Sequence, residues 1–228
     1  MEEWRTFLYP LGFIASLIFG ARFLLQWIQS EEAGKSCVNR SFWHLSLAGN
    51  CLLALHSFIQ IQYPICLAQV CNGLISWRNL NLMTPRSNQC SFQTVLRRFA
   101  ALISAVTLAF FLQDFLLNLP QAWFRTPVSP WQSSRSAPPS LLWHTLGTIG
   151  YLLFSSRFWV QWWISEKSGE SRLSASFWWI SLFGALLSVL YFLKIEDSVN
   201  LIGPLIGLPP YVRNLILIYR HPKQEIPE

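Results

Sequence analysis

Long apolar stretches separated by short polar segments dominate the chain. A bilayer core of about 30 Å needs about 20 helical residues at 1.5 Å each. Seven stretches reach or approach this length, and a membrane-spanning helix is predicted at each: 7–28, 42–60, 63–79, 98–117, 141–164, 176–195 and 198–219. The third is short and opens with Pro64. The seventh contains Pro204, Pro209 and Pro210, so it is predicted to be kinked or partly unwound.

Polar residues within these stretches recur when the chain is shifted by 135 positions. Three motifs each occur twice: R-F-x-x-Q-W-x-x-S-E at Arg22 and Arg157, S-F-W-x-x-S-L-x-G at Ser41 and Ser176, and R-N-L at Arg78 and Arg213. Gly34-x-Ser36 likewise returns as Gly169-x-Ser171. A shared apolar composition would not place polar residues in a fixed register, so the pattern predicts an internal duplication.

The duplication also predicts the topology. Each repeat contains three helices, at 7–83 and 141–220, and the linker 84–140 contributes a fourth helix and a long outer loop rich in Pro and Ser. Residues 221–228 form a short tail. Because the linking helix returns the chain to its starting side, the two repeats point the same way, as in SWEET transporters. The predicted fold class is therefore an all-α integral membrane protein with seven transmembrane helices in a 3+1+3 arrangement.

Composition supports a membrane protein and charge predicts its orientation. Hydrophobic residues make up 52% of the chain and charged residues 12%, about half the charged share of soluble domains. Eleven Lys and Arg fall on one side of the predicted spans and four on the other, so the N-terminus is expected outside and the C-terminus in the cytoplasm. No basic run would follow a nucleic acid backbone. An interfacial belt is expected from seven tryptophans: Trp27, Trp43, Trp77, Trp162, Trp163, Trp178 and Trp179.

The duplicated polar residues are the candidates for a functional site. Arg22, Gln26 and Ser30 lie on one helical face, and the second repeat has the same face. An arginine inside a membrane is costly, and two of them on facing repeats could bind an anionic headgroup. Alternatively, they could extend toward the interface or pair with Glu31 and Glu166. The candidate headgroup set comprises Arg22, Gln26, Arg78, Asn79, Arg157, Gln161, Arg213 and Asn214.

Other duplicated positions have structural interpretations that compete with function. Arg78-Asn79 and Arg213-Asn214 could form a positively charged rim, or could satisfy the carbonyl groups at two helix ends. The small residues Ser46, Gly49, Ser181 and Gly184 predict close helix packing. Ser41 and Ser176 are predicted N-caps.

The remaining polar residues indicate no catalytic, metal or cofactor site. The five cysteines contain no C-x-x-C and are predicted to be free thiols. The four histidines (His44, His56, His144 and His221) have neither metal-ligand spacing nor a repeat counterpart. Asp114 lies near the outer end of the fourth helix, where exposure at the interface is expected. No nucleophile elbow, phosphate-binding loop or carboxylate pair is present, so catalysis by these residues alone is not expected.

The motif string R-F-x-x-Q-W-x-x-S-E, S-F-W-x-x-S-L-x-G and R-N-L resembles the lipid A biosynthesis N-terminal domain family. The resemblance covers about 10–83 and again 145–219, and a tandem of this kind is similar to the N-terminal membrane region of chlamydial-type lipid-A-disaccharide synthases. It implies an inner membrane location and a link to a glycosyltransferase that joins UDP-2,3-diacylglucosamine to 2,3-diacylglucosamine 1-phosphate. It also implies a distant relation to PQ-loop proteins, although Pro120-Gln121 falls in a loop.

Two main functions follow as hypotheses. The first is a non-catalytic membrane module that anchors the glycosyltransferase, fused or separately encoded, and binds an acylated glucosamine precursor or membrane lipid. The alternative is a SWEET-like transporter of a small solute or lipid precursor, which the broken seventh helix favours. Independent glycosyltransferase activity is least expected, since these 228 residues contain no catalytic motif. The sequence carries no signal for an oligomeric state.

Overall fold

Helices joined by short turns and loops make up the part of the protein that the structure describes. In the computed structural model, these residues are 5, 7–117, 123, 140–195 and 198–220. The α-helices are α1 (Leu11–Ala33), α2 (Arg40–Ile59), α3 (Tyr63–Leu82), α4 (Phe92–Leu117), α5 (Leu141–Ser168), α6 (Ala175–Lys194) and α7 (Ser198–Arg220). A short 3-10 helix, Arg86–Asn88, precedes α4. The predicted irregular loop and tail lie outside the described residues, apart from Trp123 and Ser140.

The seven helices follow the seven predicted stretches. Five are apolar and long enough to cross a membrane, namely α1, α2, α4 with its preceding turn, α6, and α7 from Leu201. The other two, α3 and α5, are long enough, at 20 and 28 residues, but are not among these five apolar helices. Pro64 lies in the first turn of α3, where its missing N–H costs nothing. The prediction that the last helix is partly unwound was wrong, since α7 continues through its three prolines.

The ends of α1 and α5 explain one of the duplicated motifs. Gly34 and Gly169 directly follow these helices and have positive φ angles of 64° and 68°. Glycine adopts this left-handed conformation without the steric cost that a Cβ atom would add. The Gly-x-Ser motif therefore marks a helix C-terminus in each repeat, and its glycine is required by the backbone.

The start of the second helix in each repeat corrects another prediction. Ser41 and Ser176 lie inside α2 and α6, so neither is an N-cap. The N-cap positions are two residues earlier: Asn39 accepts a hydrogen bond from the Phe42 N–H at 3.1 Å, whereas Ser174 precedes α6 without a side-chain capping bond. The first of these helices, α2, begins earlier than predicted because Asn39, at the end of the preceding loop, already serves as the cap.

The chain forms two compact units that do not coincide with the repeats. One contains α1 up to Ile18 together with the chain from Trp43 through α4, and the other contains Phe19–Phe42 together with α5, α6 and α7. We refer to them as unit one and unit two. The second half of α1 therefore belongs with the helices of the second repeat, and this assignment positions the site described below.

Close packing in unit two depends on glycine. A Cβ atom at Gly184 of α6 would lie 2.7 Å from the backbone nitrogen of Phe154, and one at Gly150 would lie 2.9 Å from Leu187 Cβ. Both distances are too short for a real contact, so only glycine permits this separation of α5 and α6. The predicted packing role of Gly184 is confirmed.

Unit one has an aromatic core near the end of α4. Phe110 packs edge-on against Phe58 and Tyr63, with ring centroids 5.2 Å apart in both pairs. Trp123 adds to this cluster and donates from Nε1 to Asp114 Oδ2. Asp114 is therefore half-buried and bonded to an indole, where the sequence predicted an exposed carboxylate.

Two histidines have a repeat relation that the sequence analysis missed. In unit one the rings of Tyr9 and His56 lie 5.4 Å apart, and in unit two those of His144 and Tyr191 lie 6.3 Å apart. Shifting by 135 positions places Tyr9 on His144 and His56 on Tyr191. The two repeats thus contain the same ring pair with its members exchanged, which a search for identical residues does not find.

Several predicted belt tryptophans lie in the interior. Trp43 and Trp178 are fully buried and Trp162 is 7% exposed, whereas Trp163 and Trp179 are exposed. The belt prediction was therefore wrong for the three buried rings, because large aromatic residues fill the core here as well as the interface.

Candidate functional site

The duplicated Gln and Ser residues fix the loop that follows the first helix of each repeat. Ser30 Oγ accepts from the Cys37 N–H at 3.1 Å, and Gln26 Nε2 donates to the Cys37 carbonyl at 3.0 Å. In the second repeat Ser165 and Gln161 bind the N–H and carbonyl of Arg172 at 3.4 and 3.1 Å. Each glutamine also donates to the serine one turn later at 2.8 Å. These polar stripes therefore have a structural role in both repeats.

Gln26 also joins the first repeat to the second. Its amide exchanges two hydrogen bonds with that of Asn214 on α7, at 2.8 and 3.0 Å, and both residues are fully buried. Ser36 Oγ donates to Asn214 Oδ1 at 2.7 Å, and Trp178 Nε1 donates to Ser36 Oγ at 3.2 Å. A continuous network of side chains thus connects α1, its loop, α6 and α7 inside unit two.

An ion pair lies one residue from this network. Arg213 binds Glu31 with both ends of its guanidinium group, the Nη2–Oε2 distance being 2.6 Å. Trp27 Nε1 donates to the same carboxylate at 2.9 Å. Glu31 is therefore bonded to Arg213 and Trp27. These two bonds, rather than a pairing with Arg22 or Arg157, hold the Glu31 carboxylate.

Arg22 and Arg157 come together in unit two. They are 3% and 4% exposed, so neither extends to the surface, and the interpretation that they extend toward the interface was wrong. The Arg22 Cζ lies 4.7 Å from the Phe23 centroid and 5.0 Å from the Phe158 centroid. The Arg157 Cζ lies 5.8 and 4.9 Å from the same two rings. Two positive charges therefore share one aromatic environment within the bundle.

Further rings and one phenol complete this cluster. Phe19 and Phe42 lie near Arg22, at 4.5 and 5.4 Å, and Phe154 lies 3.3 Å from Arg157 Cζ. Arg157 Nη1 and Tyr211 Oη are 3.5 Å apart. We call the group formed by Arg22, Arg157, Tyr211 and these rings the arginine cluster. Within the described residues, Arg157 Nε is buried without a hydrogen-bond partner, so one donor remains for a ligand.

Gly207 makes room for the phenol of the arginine cluster. A Cβ atom at Gly207 would lie 2.3 Å from Tyr211 Oη, so the ring occupies the space that a side chain would take. The repeat counterparts of Gly207 and Tyr211 are Asn72 and Ser76. Tyr211 was missed by the sequence analysis because it is unique to one repeat, and this glycine one turn before it was the available signal.

The two remaining predicted site residues belong to unit one. Arg78 Nη1 donates to Asn81 Oδ1 at 2.6 Å and to the Cys90 carbonyl at 2.9 Å, and Asn79 donates to the Ile75 carbonyl at 3.0 Å. These bonds support the α3 C-terminus and the turn before α4. The structure thus brings Arg22, Gln26, Arg157, Arg213 and Asn214 together in unit two, where Gln161 bonds locally.

Comparison with known proteins decides the family. The sequence profile described as Lipid A Biosynthesis N-terminal domain matches twice, at residues 11–81 and 146–216. The chain belongs to this family. The two matches confirm the internal duplication, and each extends from the first helix of a repeat to the R-N-L motif.

Relatives of this domain tandem come from Chlamydia. The chain is 38% identical over 227 residues to a lipid-A-disaccharide synthase of Chlamydia felis, covering 97% of this chain and 34% of the relative. It is 38% identical over 219 residues to that of Chlamydia abortus, covering 93% and 33%. The chain therefore spans about a third of the length of the curated relatives it matches. No solved structure matches it.

The arginine cluster is suited to binding an anion. No group of three or more His, Cys, Asp or Glu in this part of the chain could hold a metal ion, and the five cysteines are free thiols. The arginine cluster offers two cations and a phenol inside an apolar bundle. This combination can bind an anion, because guanidinium and phenol N–H and O–H groups are all donors.

Proposed function

We propose that this domain tandem is a non-catalytic membrane module of lipid A biosynthesis. It anchors a glycosyltransferase of the lipid-A-disaccharide synthase type and holds the phosphate of an acylated glucosamine precursor at the arginine cluster. The family assignment supports the pathway. The proposed phosphate ligand rests on one observation, the burial of Arg22 and Arg157 against the same two rings.

The electrostatics of the arginine cluster favour an anion. Both Cζ atoms lie near the Phe158 centroid, which limits their separation to about 10 Å. At an effective dielectric constant of about 20, two unit charges at that distance repel by about 1.7 kcal/mol, and more if closer. The rings stabilise each cation but do not neutralise it. A negative charge midway would be attracted to each cation by about 3 kcal/mol.

We assign three roles to the predicted headgroup residues and Tyr211. Arg22, Arg157 and Tyr211 face the phosphate. Gln26 and Asn214 bond to each other and hold α1 against α7, so they position the cluster without contacting the ligand. Gln161, Arg213, Arg78 and Asn79 act at helix ends and loops through the bonds described above.

The proposed topology is seven spans in a parallel 3+1+3 arrangement, with α3 and α5 crossing the membrane beside the five more apolar helices. The N-terminus lies in the periplasm and the C-terminus in the cytoplasm of a Gram-negative inner membrane. A reporter fused after Arg220 tests this orientation. Green fluorescent protein should fluoresce there and alkaline phosphatase should be inactive; the reverse pattern would contradict the orientation.

Ligand binding is tested by thermal unfolding in detergent. The purified chain is heated with 2,3-diacylglucosamine 1-phosphate and, separately, with the same lipid lacking its phosphate. At 100 times the Kd, a ligand stabilises by about 2.7 kcal/mol, which a melting curve resolves. We expect stabilisation by the phosphorylated lipid alone. The double variant Arg22→Gln/Arg157→Gln should lose it, and the exposed Arg97→Gln should keep it.

Two outcomes would overturn the headgroup role. One is equal stabilisation by both lipids, which would remove the need for a phosphate site. The other is undiminished stabilisation of the double variant. Concentration-dependent uptake of a small solute into proteoliposomes, without lipid stabilisation, would favour the transporter instead.

A further inference from the structure

A groove on the outer face of unit two has no role in the proposed function. It has a volume of about 410 Å³ and is lined by Trp179, Leu182, Val212, Leu215, Ile216, Tyr219 and Arg220. All seven residues come from α6 and α7. The volume lies within the usual range for small-molecule sites. We call it the α6–α7 groove.

The α6–α7 groove is apolar along its length and polar at one end. Val212 and Ile216 are 44% and 38% exposed, so the groove opens to the surroundings of the bundle. At the C-terminal end of α7, Trp179 Nε1 donates to Tyr219 Oη at 3.0 Å. Arg220 lies in the last turn and is exposed. The groove thus runs from apolar side chains to Trp, Tyr and Arg. Membrane proteins show the same order of side chains from the bilayer core to its interface.

The matching face of the first repeat is filled. The counterpart of Val212 is Trp77, and the counterpart of Ile216 is Asn81. In unit one, α4 packs against α3, and the Arg98 guanidinium of α4 lies 4.2 Å from the Trp77 ring. A large ring and a covering helix thus occupy in one repeat the space that stays open in the other.

We propose that the α6–α7 groove binds one acyl chain of an anionic phospholipid from the surrounding bilayer, with the lipid phosphate at Arg220. A helix C-terminus carries a partial negative charge of about half an elementary charge, which opposes anion binding. The full positive charge of Arg220 is larger, so a phosphate is still attracted. Between Val212 and Arg220 the groove extends about 12 Å along α7, close to the roughly 15 Å of one hydrocarbon leaflet.

The lining favours a lipid over a protein helix. Helices that associate within membranes meet through small residues that let their backbones approach. The groove has none: its narrowest side chain is valine, and two positions are aromatic. A flexible acyl chain can follow such a surface. The proposed lipid comes from the surrounding bilayer and is a different molecule from the precursor proposed for the arginine cluster.

The test is native mass spectrometry of the full chain released from detergent with added phosphatidylglycerol or phosphatidylcholine. We expect phosphatidylglycerol to be retained at least fivefold more. Val212→Trp, which installs the side chain of the first repeat, should lower its retention at least fivefold. Arg220→Gln should abolish the preference between the two lipids. Leu205→Trp is the matched control, since Leu205 is an exposed residue of α7 outside the groove.

Retention unchanged in Val212→Trp would overturn the site, and so would a preference that persists in Arg220→Gln. Equal loss in Leu205→Trp would show general lipid contact and would also overturn it. Ile216→Trp fills the groove from the next helical turn. It replaces Val212→Trp in this test if that variant does not fold, and the same loss of retention is expected. Because none of these residues belongs to the arginine cluster, either proposal can fail without the other.

Discussion

The hydrogen-bonded side-chain amides of Gln26 and Asn214 hold α1 against α7, and we expect this pair to contribute measurably to the free energy of unfolding. Gln26→Leu removes the pair and the bonds from Gln26 to Ser30 and Cys37, while keeping a similar side-chain volume. Leaving a buried polar group unsatisfied costs about 1–3 kcal/mol. Asn214 retains its bonds to Ser36 and to the Pro210 carbonyl, which reduces the loss. We expect Gln26→Leu to lower the free energy of unfolding by about 2 kcal/mol.

The pairwise contribution is isolated by a double-mutant cycle. Gln26→Leu, Asn214→Leu and the double variant are unfolded by titration of SDS into mixed micelles. Interhelical hydrogen bonds in membrane proteins contribute about 0.6 kcal/mol on average and up to about 1.7. Because this pair has bonds in both directions, we expect a coupling energy of about 1–1.5 kcal/mol.

The control for this cycle lies on the same helix. Gln29 is half-buried, and its Oε1 accepts no hydrogen bond within the described part of the chain. Gln29→Leu removes this unsatisfied oxygen, so it should not lower the free energy of unfolding. A coupling energy below about 0.3 kcal/mol would mean that the two sites act independently, and the reasoning about the network would be refuted.

Three further predictions concern unit two. Gly169→Ala should lower the free energy of unfolding by about 1–2 kcal/mol, because its φ of 68° is unfavourable for alanine. Gly203→Ala, where a Cβ atom would have no neighbour within 4 Å, should cost nothing in the same SDS titration. Gly184→Ala should cost about 1–3 kcal/mol by pushing α6 away from the α5 backbone, and a loss no larger than at Gly203 would contradict the close packing. Glu31→Gln should lower the thermal midpoint at low salt but not in 1 M NaCl, since its bond to Arg213 is exposed and salt screens it. An equal shift at both salt concentrations would exclude an electrostatic contribution.

The helices and the repeat were predictable because each depends on local or periodic information. Helix length follows from apolar stretches, and Gly34 and Gly169 mark helix ends by backbone conformation. The contacts between distant segments were not predictable in the same way. Gln26 was recognised as duplicated, but its bond to Asn214 joins residues 188 positions apart. Two interpretations of the polar stripe stayed open because a repeat preserves structural and functional residues alike.

The burial of tryptophan and arginine shows why composition misled the prediction. Trp178 was expected at the interface, yet it is fully buried and bonds to Ser36. Arg22 and Arg157 were expected to bind a ligand, to extend toward water, or to pair with the repeated glutamates. Aromatic rings hold them inside the bundle, and only the three-dimensional clustering of those rings makes this position possible.

Positions where the two repeats differ add functional information that the shared Arg22 and Arg157 alone do not give. Shared residues such as the glutamine and serine of each stripe bond to the protein itself, as a duplicated fold requires. Two adjacent differences, Tyr211 against Ser76 and Val212 against Trp77, give the second repeat both a phenol beside Arg157 and an open groove. Because Tyr211 faces inward and Val212 faces outward, each can be replaced by its counterpart separately. Tyr211→Ser should weaken binding of the phosphorylated precursor and leave phosphatidylglycerol retention unchanged, whereas Val212→Trp should do the opposite. If both variants affected both ligands, the two sites would be one.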